Sequence, residues 1–412
     1  MDDLAQSLVE AIGELPVIDA HEHLPPEEEA LSAPADLFTR IFCHYSLTNA
    51  ESAGFRGVRD IVQDTSKPIE ERWALFKPYL PLIRETGYVR AALIAVRELF
   101  GIEEITDDTL PLLLDRLNEH SRPGLYDEVL KKRCRIERIL NQGRWRDPAG
   151  GTAVPVERDF LALQGATAER LRQIHARWSE RHGGPFDSVR EWVAFQVECL
   201  VSDGGRGLKF SADFPTECAD AAAQDALYRK LVSGDLTDGE SGALGAALMH
   251  CALVEAGRHR IPAAFHCGLQ AGVWPDIRLT HPLNLVPVVR CYRETTFDLY
   301  HGGIPWMHEI VVMGNQYPNV HLNLCWCHQI SPAMTERILT ECLDLVPVNK
   351  VIGFGGDNVR GPEKTLGVLI MARENIARVL AGRIRRGLMT EERALEVARL
   401  WLYENPKRIY RL

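Results

Sequence analysis

Two imidazoles stand one residue apart near the start of this chain. The run VIDAHEHLPP, residues 17–26, closes an apolar stretch on His21 and His23 and stops at two prolines. Alternate side chains of a strand share a face, so Asp19, His21 and His23 point one way and Glu22 the other. Buried imidazoles cost desolvation unless something uses their lone pairs, and a metal ion does. Three further apolar runs end on ligand-capable residues: IPAAFHCG on His266, TTFDLYHGG on His301 and KVIGFGGDN on Asp357, each with Gly or Asn close behind. A strand-end histidine bonded to a backbone carbonyl accounts for any one of these. Four strand ends converging on one point are better accounted for by a nitrogen and oxygen set for a divalent ion, with zinc first and manganese an alternative. His21, His23, His266 and Asp357 are the expected ligands. A cation lowers the pKa of a bound water to about 7. Asp357 then accepts that water's proton and passes it to a leaving group, while His301 ligates the metal or polarises a carbonyl. Asp19, one step below His21, reads as a hydrogen-bond acceptor behind the ligands.

These residues need a frame that gathers strand ends. Eight β-like runs alternate with helical stretches: 17–23, 135–141, 159–165, 207–213, 261–268, 295–302, 319–326 and 350–357. Strands alternating with helices imply a parallel sheet. Eight units predict an α/β fold of the (β/α)₈ TIM-barrel type, whose sites lie at the C-terminal ends of the strands. Residues 25–133 have helical periodicity and no convincing strand, which predicts a large helical insertion after the first strand. No Ser/Gly-rich linker sets it apart, so residues 1–412 read as one domain carrying an inserted subdomain. Residues 240–258, 306–317, 333–345 and 363–402 read as helices.

Several residues follow the strand ends and are candidates for the rim. Lys209, in GLKFSAD, is a candidate for substrate contact, and a lysine snorkelling to the rim is the plain alternative. Arg360, three residues past Asp357, suits a bidentate contact with a carboxylate substrate, and a surface arginine is the plain alternative. Trp306, Trp326 and His328 are candidates for the pocket wall, with packing as the alternative for each.

The set VIDAHEH, AFHCG, LYHGG and GFGGD resembles the amidohydrolase superfamily of metal-dependent (β/α)₈ enzymes. Its members carry an HxH pair on strand 1, a histidine on strand 5, often one on strand 6, and an aspartate on strand 8. The resemblance spans nearly the whole chain. Within the superfamily it points to the uronate isomerase-related branch, through the helical insertion, CHY at 43–45, RELFGI at 97–102, LCWC at 324–327 and the closing ENPKRIY. It also implies that Lys209 is either carboxylated and bridges two metals or free to meet substrate. Two departures from the uronate isomerases stand out. CWCHQ keeps Trp326 alone where they carry paired tryptophans and an Asn-Asp, and Arg360 follows Asp357 by three residues rather than two. LYHGGIPW is closer to amidohydrolase-related hydrolases and decarboxylases. The leading expectation is therefore a hydrolase that uses metal-activated water on an amide, lactone or ester of a small, carboxylate-bearing molecule. A uronate isomerase or non-oxidative decarboxylase on the same metal site is the alternative, and a non-catalytic metal-binding barrel the last.

Bulk properties bound these readings. The net charge is −10, with 46% hydrophobic and 25% charged residues. That argues against a nucleic-acid partner, which calls for a basic face, though a few local arginines can still reverse the field inside a cleft. No apolar stretch approaches the roughly 20 residues of a membrane span. The acidic, amphipathic start MDDLAQSLVEAIGELP is unlike a signal peptide. Ten scattered cysteines without a CxxC pair read as reduced thiols. Together these predict a cytoplasmic protein with a small anionic substrate and no membrane partner, compatible with a homo-oligomer. Walker, Rossmann and serine-nucleophile motifs are absent.

Overall fold

The computed structural model describes residues 2–32, 35–147, 151–163 and 165–412. Its centre is one sheet of eight parallel strands in sequential order. They are β1 (Val17–Glu22), β2 (Ile136–Asn141), β3 (Ala153–Glu157), β4 (Gly207–Ser211), β5 (Ala263–His266), β6 (Phe297–Leu299), β7 (Val320–Asn323) and β8 (Val351–Ile352). Every residue of β1 and of β4 is buried, as expected of strands covered by helices on one side and closed on each other on the other. The ring is drawn together by backbone hydrogen bonds between β1 and the segment after β8. Ala20 N–H donates to Phe354 O at 3.2 Å, Asp357 N–H to His21 O at 2.8 Å and His23 N–H to Asn358 O at 3.0 Å. This closure sets the first histidine pair beside Asp357 through the main chain itself.

Seven of the eight strands lie inside the predicted runs, and β3 does not. It is Ala153–Glu157, not 159–165. Pro155 disguises the strand, because proline brings no N–H to a ladder, yet its carbonyl still accepts from Arg206 N–H at 3.0 Å. In the run expected instead, Phe160 and Leu163 are buried. Their spacing of three suits the single helical turn found at Leu161–Leu163, and Gln164 lies outside the described residues.

Between β1 and β2, the described residues form helices and turns, with Ala33 and Pro34 outside them. Phe38, Phe42, Trp73 and Phe76 belong to an apolar cluster of this stretch. The helix Gly87–Phe100 crosses the helix Glu363–Arg385 closely, since a Cβ on Gly367 would lie 2.0 Å from Ala91 O. Only glycine permits that approach. The predicted helices after β4 are found at Asp238–His259, Met307–Gln316 and Pro332–Leu345. The first is started by a reciprocal capping box of Thr237 and Glu240. Among the described residues, no helix is long and apolar enough to cross a membrane.

Candidate active site

The chain turns sharply where the strands end. His301, Trp326 and Asp357 all adopt left-handed backbone conformations, with φ of 65°, 69° and 55°. Such conformations cost about 1–3 kcal/mol each in non-glycine residues and cluster at functional sites. Those at Trp326 and Asp357 bring their side chains to the rim of a cavity of about 600 Å³, lined by His21, His23, Lys209, His266, Trp326 and Asp357 among others, while His301 is buried beside His266.

At its base, Asp357 Oδ1 lies 3.2 Å from His21 Nε2 and 3.3 Å from His23 Nε2. The three residues form the one cluster with metal-ligand geometry among those described, with donor atoms within 4.8 Å of one another. Burial holds His21 neutral, down to about 3, so it serves Asp357 as an N–H donor and not as a cation. Burial opposes the ionisation of Asp357, but the two imidazoles outweigh it and hold the carboxyl well below the usual range.

Asp19 lies behind this cluster as an acceptor. Its Oδ1 takes the N–H groups of His21 and Gly356, both at 3.1 Å, and so ties β1 to the turn after β8. Glu22 departs from simple alternation, because the β1 register slips between Asp19 and Glu22. Its carboxyl is fully buried and accepts from the Asn358 side-chain amide at 3.2 Å and the Thr365 hydroxyl at 2.9 Å. Burial pushes both carboxyls up, that of Asp19 to about 7.

His266 and His301 form a second, adjoining pair. His301 Nε2 faces His266 Nδ1 at 3.0 Å, His301 Nδ1 faces Cys325 O at 3.2 Å, and His266 Nε2 faces Leu269 O at 2.8 Å. His266 therefore lies outside the compact trio in which it was expected, its Nε2 turned to a carbonyl. Two carbonyl contacts and one nitrogen–nitrogen contact require three protons on two rings, one more than two neutral imidazoles carry. Burial lowers His266 to about 4 and His301 well below its ordinary value, so the extra proton is disfavoured near neutrality. Surplus nitrogen lone pairs, converging Nε2 atoms and a carboxylate oxygen fit a divalent cation.

Lys209 is 3% exposed. Its Nζ lies 3.7 Å from the centre of the Tyr300 ring and has no hydrogen-bond partner among the described residues. Burial lowers its pKa to about 8. Tyr300 in turn rests on the barrel floor, where Tyr410 OH and Asn323 Nδ2 donate to Asp298 Oδ2 at 2.6 and 2.9 Å. Trp326 stands over His301, with ring centres 5.0 Å apart.

Three of the rim candidates fall elsewhere. His328 is fully buried in the core and is not a substrate contact: its Nε2 donates to Gly353 O at 2.8 Å and its Nδ1 accepts from Asn375 Nδ2 at 3.1 Å. Arg360 is exposed and lines a neighbouring cavity, because the third residue beyond Asp357 has already left the mouth. Trp306 packs on His281, with ring centres 4.5 Å apart.

Three further polar residues of the cavity are marked by no strand-end pattern in the sequence. Arg158 donates from a guanidinium nitrogen to His23 Nδ1 at 3.3 Å. His44, from the stretch after β1, bonds Tyr88 OH through Nδ1 at 2.8 Å, and burial lowers it to about 4. Gln142 follows β2. For His44 the one available signal was CHY at 43–45; Arg158 and Gln142 sit in ordinary polar contexts.

A nearly closed ring of parallel strands with imidazole and carboxylate donors at their C-terminal ends is the architecture of metal-dependent (β/α)₈ enzymes. The amidohydrolase family model matches residues 18–412, and the chain belongs to that family. It is similar to a uronate isomerase of Phenylobacterium zucineum, 24% identical over the whole chain and 94% of that protein. Its fold is similar to that of a glucuronate isomerase from Caulobacter crescentus, with a TM-score of 0.78 and 17% identity, covering 99% of this chain and 94% of that one. It is also similar to that of a uronate isomerase from Thermotoga maritima, with a TM-score of 0.77 and 16% identity, covering 100% and 98%.

Proposed function

We propose that this protein is a metal-dependent aldose–ketose isomerase acting on a small uronate-type substrate, a hydroxy-carbonyl compound that bears a carboxylate. The observation that carries the reading is the position of Asp357, an ionised carboxylate at the base of the cavity with both β1 imidazoles at hydrogen-bond distance. The end-to-end likeness to uronate isomerases supports isomerisation over the hydrolysis that LYHGGIPW favoured. His21, His23 and Asp357 would hold the metal, zinc being the first choice, with His266 and His301 beside it. When bound, the metal supplies Lewis-acid polarisation of the substrate's carbonyl and hydroxyl oxygens.

The protein's own groups do the rest. Asp357 takes a proton from the substrate and returns it, within reach of both carbon and oxygen. Arg158, at the mouth and free of any carboxylate partner among the described residues, receives the substrate's carboxylate. Lys209, at about 8, offers a buried N–H donor to a substrate oxygen. Trp326 covers the His301 side and keeps water from the reacting carbon.

The test is isotopic. Metal-loaded protein is incubated with a panel of hexuronates in deuterated water, and products are read by mass spectrometry and NMR. Isomerisation interconverts aldose and ketose, and where the carried proton exchanges it leaves deuterium at the carbon beside the carbonyl. Inertness towards every hexuronate, together with ¹⁸O uptake from labelled water into an amide, lactone or ester product, rejects isomerisation in favour of hydrolysis.

A further inference from the structure

A second cavity, of about 730 Å³, adjoins the catalytic one. His23, Gln142, Arg158 and Val359 line both, so the two are continuous. Each volume falls in the usual range for a ligand site, about 300–1,000 Å³.

The outer cavity is cationic in a chain whose net charge is −10. Five arginines line it, against Glu29, Glu157 and Asp159. Three of the five are committed. Arg40 is buried on Glu363, Arg144 pairs with Glu29, and Arg146 with Glu157 at 3.3 Å. Asp159 is taken by Arg177, from outside the cavity. Arg158 and Arg360 are left with no carboxylate partner among the described residues. Grouping cations in a cleft focuses the field and raises the local concentration of anions.

The junction carries an independent sign of a ligand. Gln142 is 6% exposed, and among the described residues its amide meets the Tyr300 hydroxyl only in a poor hydrogen bond that leaves neither amide atom well satisfied. A buried amide left so is costly, and a polar ligand passing from one cavity into the other would satisfy it. Arg158 has a matching constraint. It can donate to His23 Nδ1 only while that nitrogen keeps its lone pair. If His23 gives its Nε2 lone pair to a metal, its one proton moves to Nδ1, and Arg158 must turn to another acceptor.

We propose that the outer cavity binds a second anionic group, a phosphate or carboxylate, on the same molecule whose carbonyl end lies at Asp357. The substrate is then a uronate-type compound whose carboxylate meets Arg158 at the junction and whose anionic extension reaches past Gln142 to Arg360. The substrate part of this inference rests on the isomerase reading; the anion site does not.

Inorganic phosphate is the probe for the site. Titration calorimetry of the full chain should show one phosphate bound per chain with and without metal. Binding should weaken about tenfold or more in Arg360→Gln, the loss of one charge-assisted contact, with an unchanged melting temperature. No binding, binding that needs the metal, or equal binding by the variant overturns the site.

The extension is tested by comparing a phosphorylated hexuronate with the free one. A kcat/KM gain of about tenfold or more, lost in Arg360→Gln, supports one continuous ligand. Free phosphate added to the free hexuronate reproducing that gain overturns it, because the cavity then serves a separate effector. Phosphate binding as expected with no hexuronate turned over keeps the anion site and rejects the isomerase reading.

Discussion

His301 Nε2 and His266 Nδ1 face each other at 3.0 Å with their outer nitrogens set against backbone carbonyls. The pair lacks a proton that burial makes hard to add, and a neighbouring cation relieves the conflict by taking up a lone pair. Metal should therefore stabilise the native state. At a free metal concentration 100-fold above Kd the gain is about 2.7 kcal/mol. Scanning calorimetry of chelated and reloaded protein measures it, and elemental analysis identifies the ion. The same melting temperature in both forms would refute a metal held here.

Asp357 adopts φ of 55°. Asparagine tolerates that conformation nearly as well as aspartate, so Asp357→Asn tests chemistry with little disturbance of the turn. Turnover should fall about 10² to 10⁴-fold, the usual value of a general base. Metal content should fall far less, since His21 and His23 remain. Normal turnover with a lowered melting point would assign Asp357 a purely structural part.

Lys209 makes a pH-dependent contribution with a defined sign. Burial lowers it from 10.5 to about 8, so the unfolded chain binds the proton more tightly than the native protein. Its charge therefore destabilises the fold fully below about pH 8, and the penalty is relieved as pH rises from about 8 to 10.5. Lys209→Met should stabilise the metal-free protein at pH 7 by up to about 3 kcal/mol, less whatever contact with Tyr300 contributes. The advantage should shrink towards pH 10. Urea unfolding at the two pH values decides; a variant equally or less stable at pH 7 contradicts the assignment.

Gly367 is where the helix Glu363–Arg385 meets the helix Gly87–Phe100, with Ala91 O 2.0 Å from the position of an added Cβ. The obstacle is backbone, which cannot rotate away. Gly367→Ala should cost about 1–3 kcal/mol by overpacking, although alanine favours helix. A shift in the denaturation midpoint at constant slope reads it. An unchanged midpoint would mean the two helices are not held in this contact.

The strand-end residues were legible because their signal is local. An apolar run ending on His21, His23, His266, His301 or Asp357 announces both strand and position, and the order of strands around a parallel barrel follows the order in the chain. β3 escaped because proline hides a strand in propensity, while the apolar run DFLALQG at 159–165 imitates one. His328 lies in the core and Arg360 in the adjoining cavity, because distance along the chain from a strand end does not say which way a turn goes. The left-handed turns at Trp326 and Asp357 carry the one into the core and the other out to a neighbouring cavity. Arg158, Gln142 and His44 carry no local signature, and come together only through the close of the barrel and the folding of the long segment after β1 over its mouth. The division between His21, His23 and Asp357 on one side and His266 with His301 on the other is likewise tertiary, since it depends on ångström-scale placement of side chains from four strand ends. Residue type and strand period specify which groups reach the rim, and packing around it decides which of them touch.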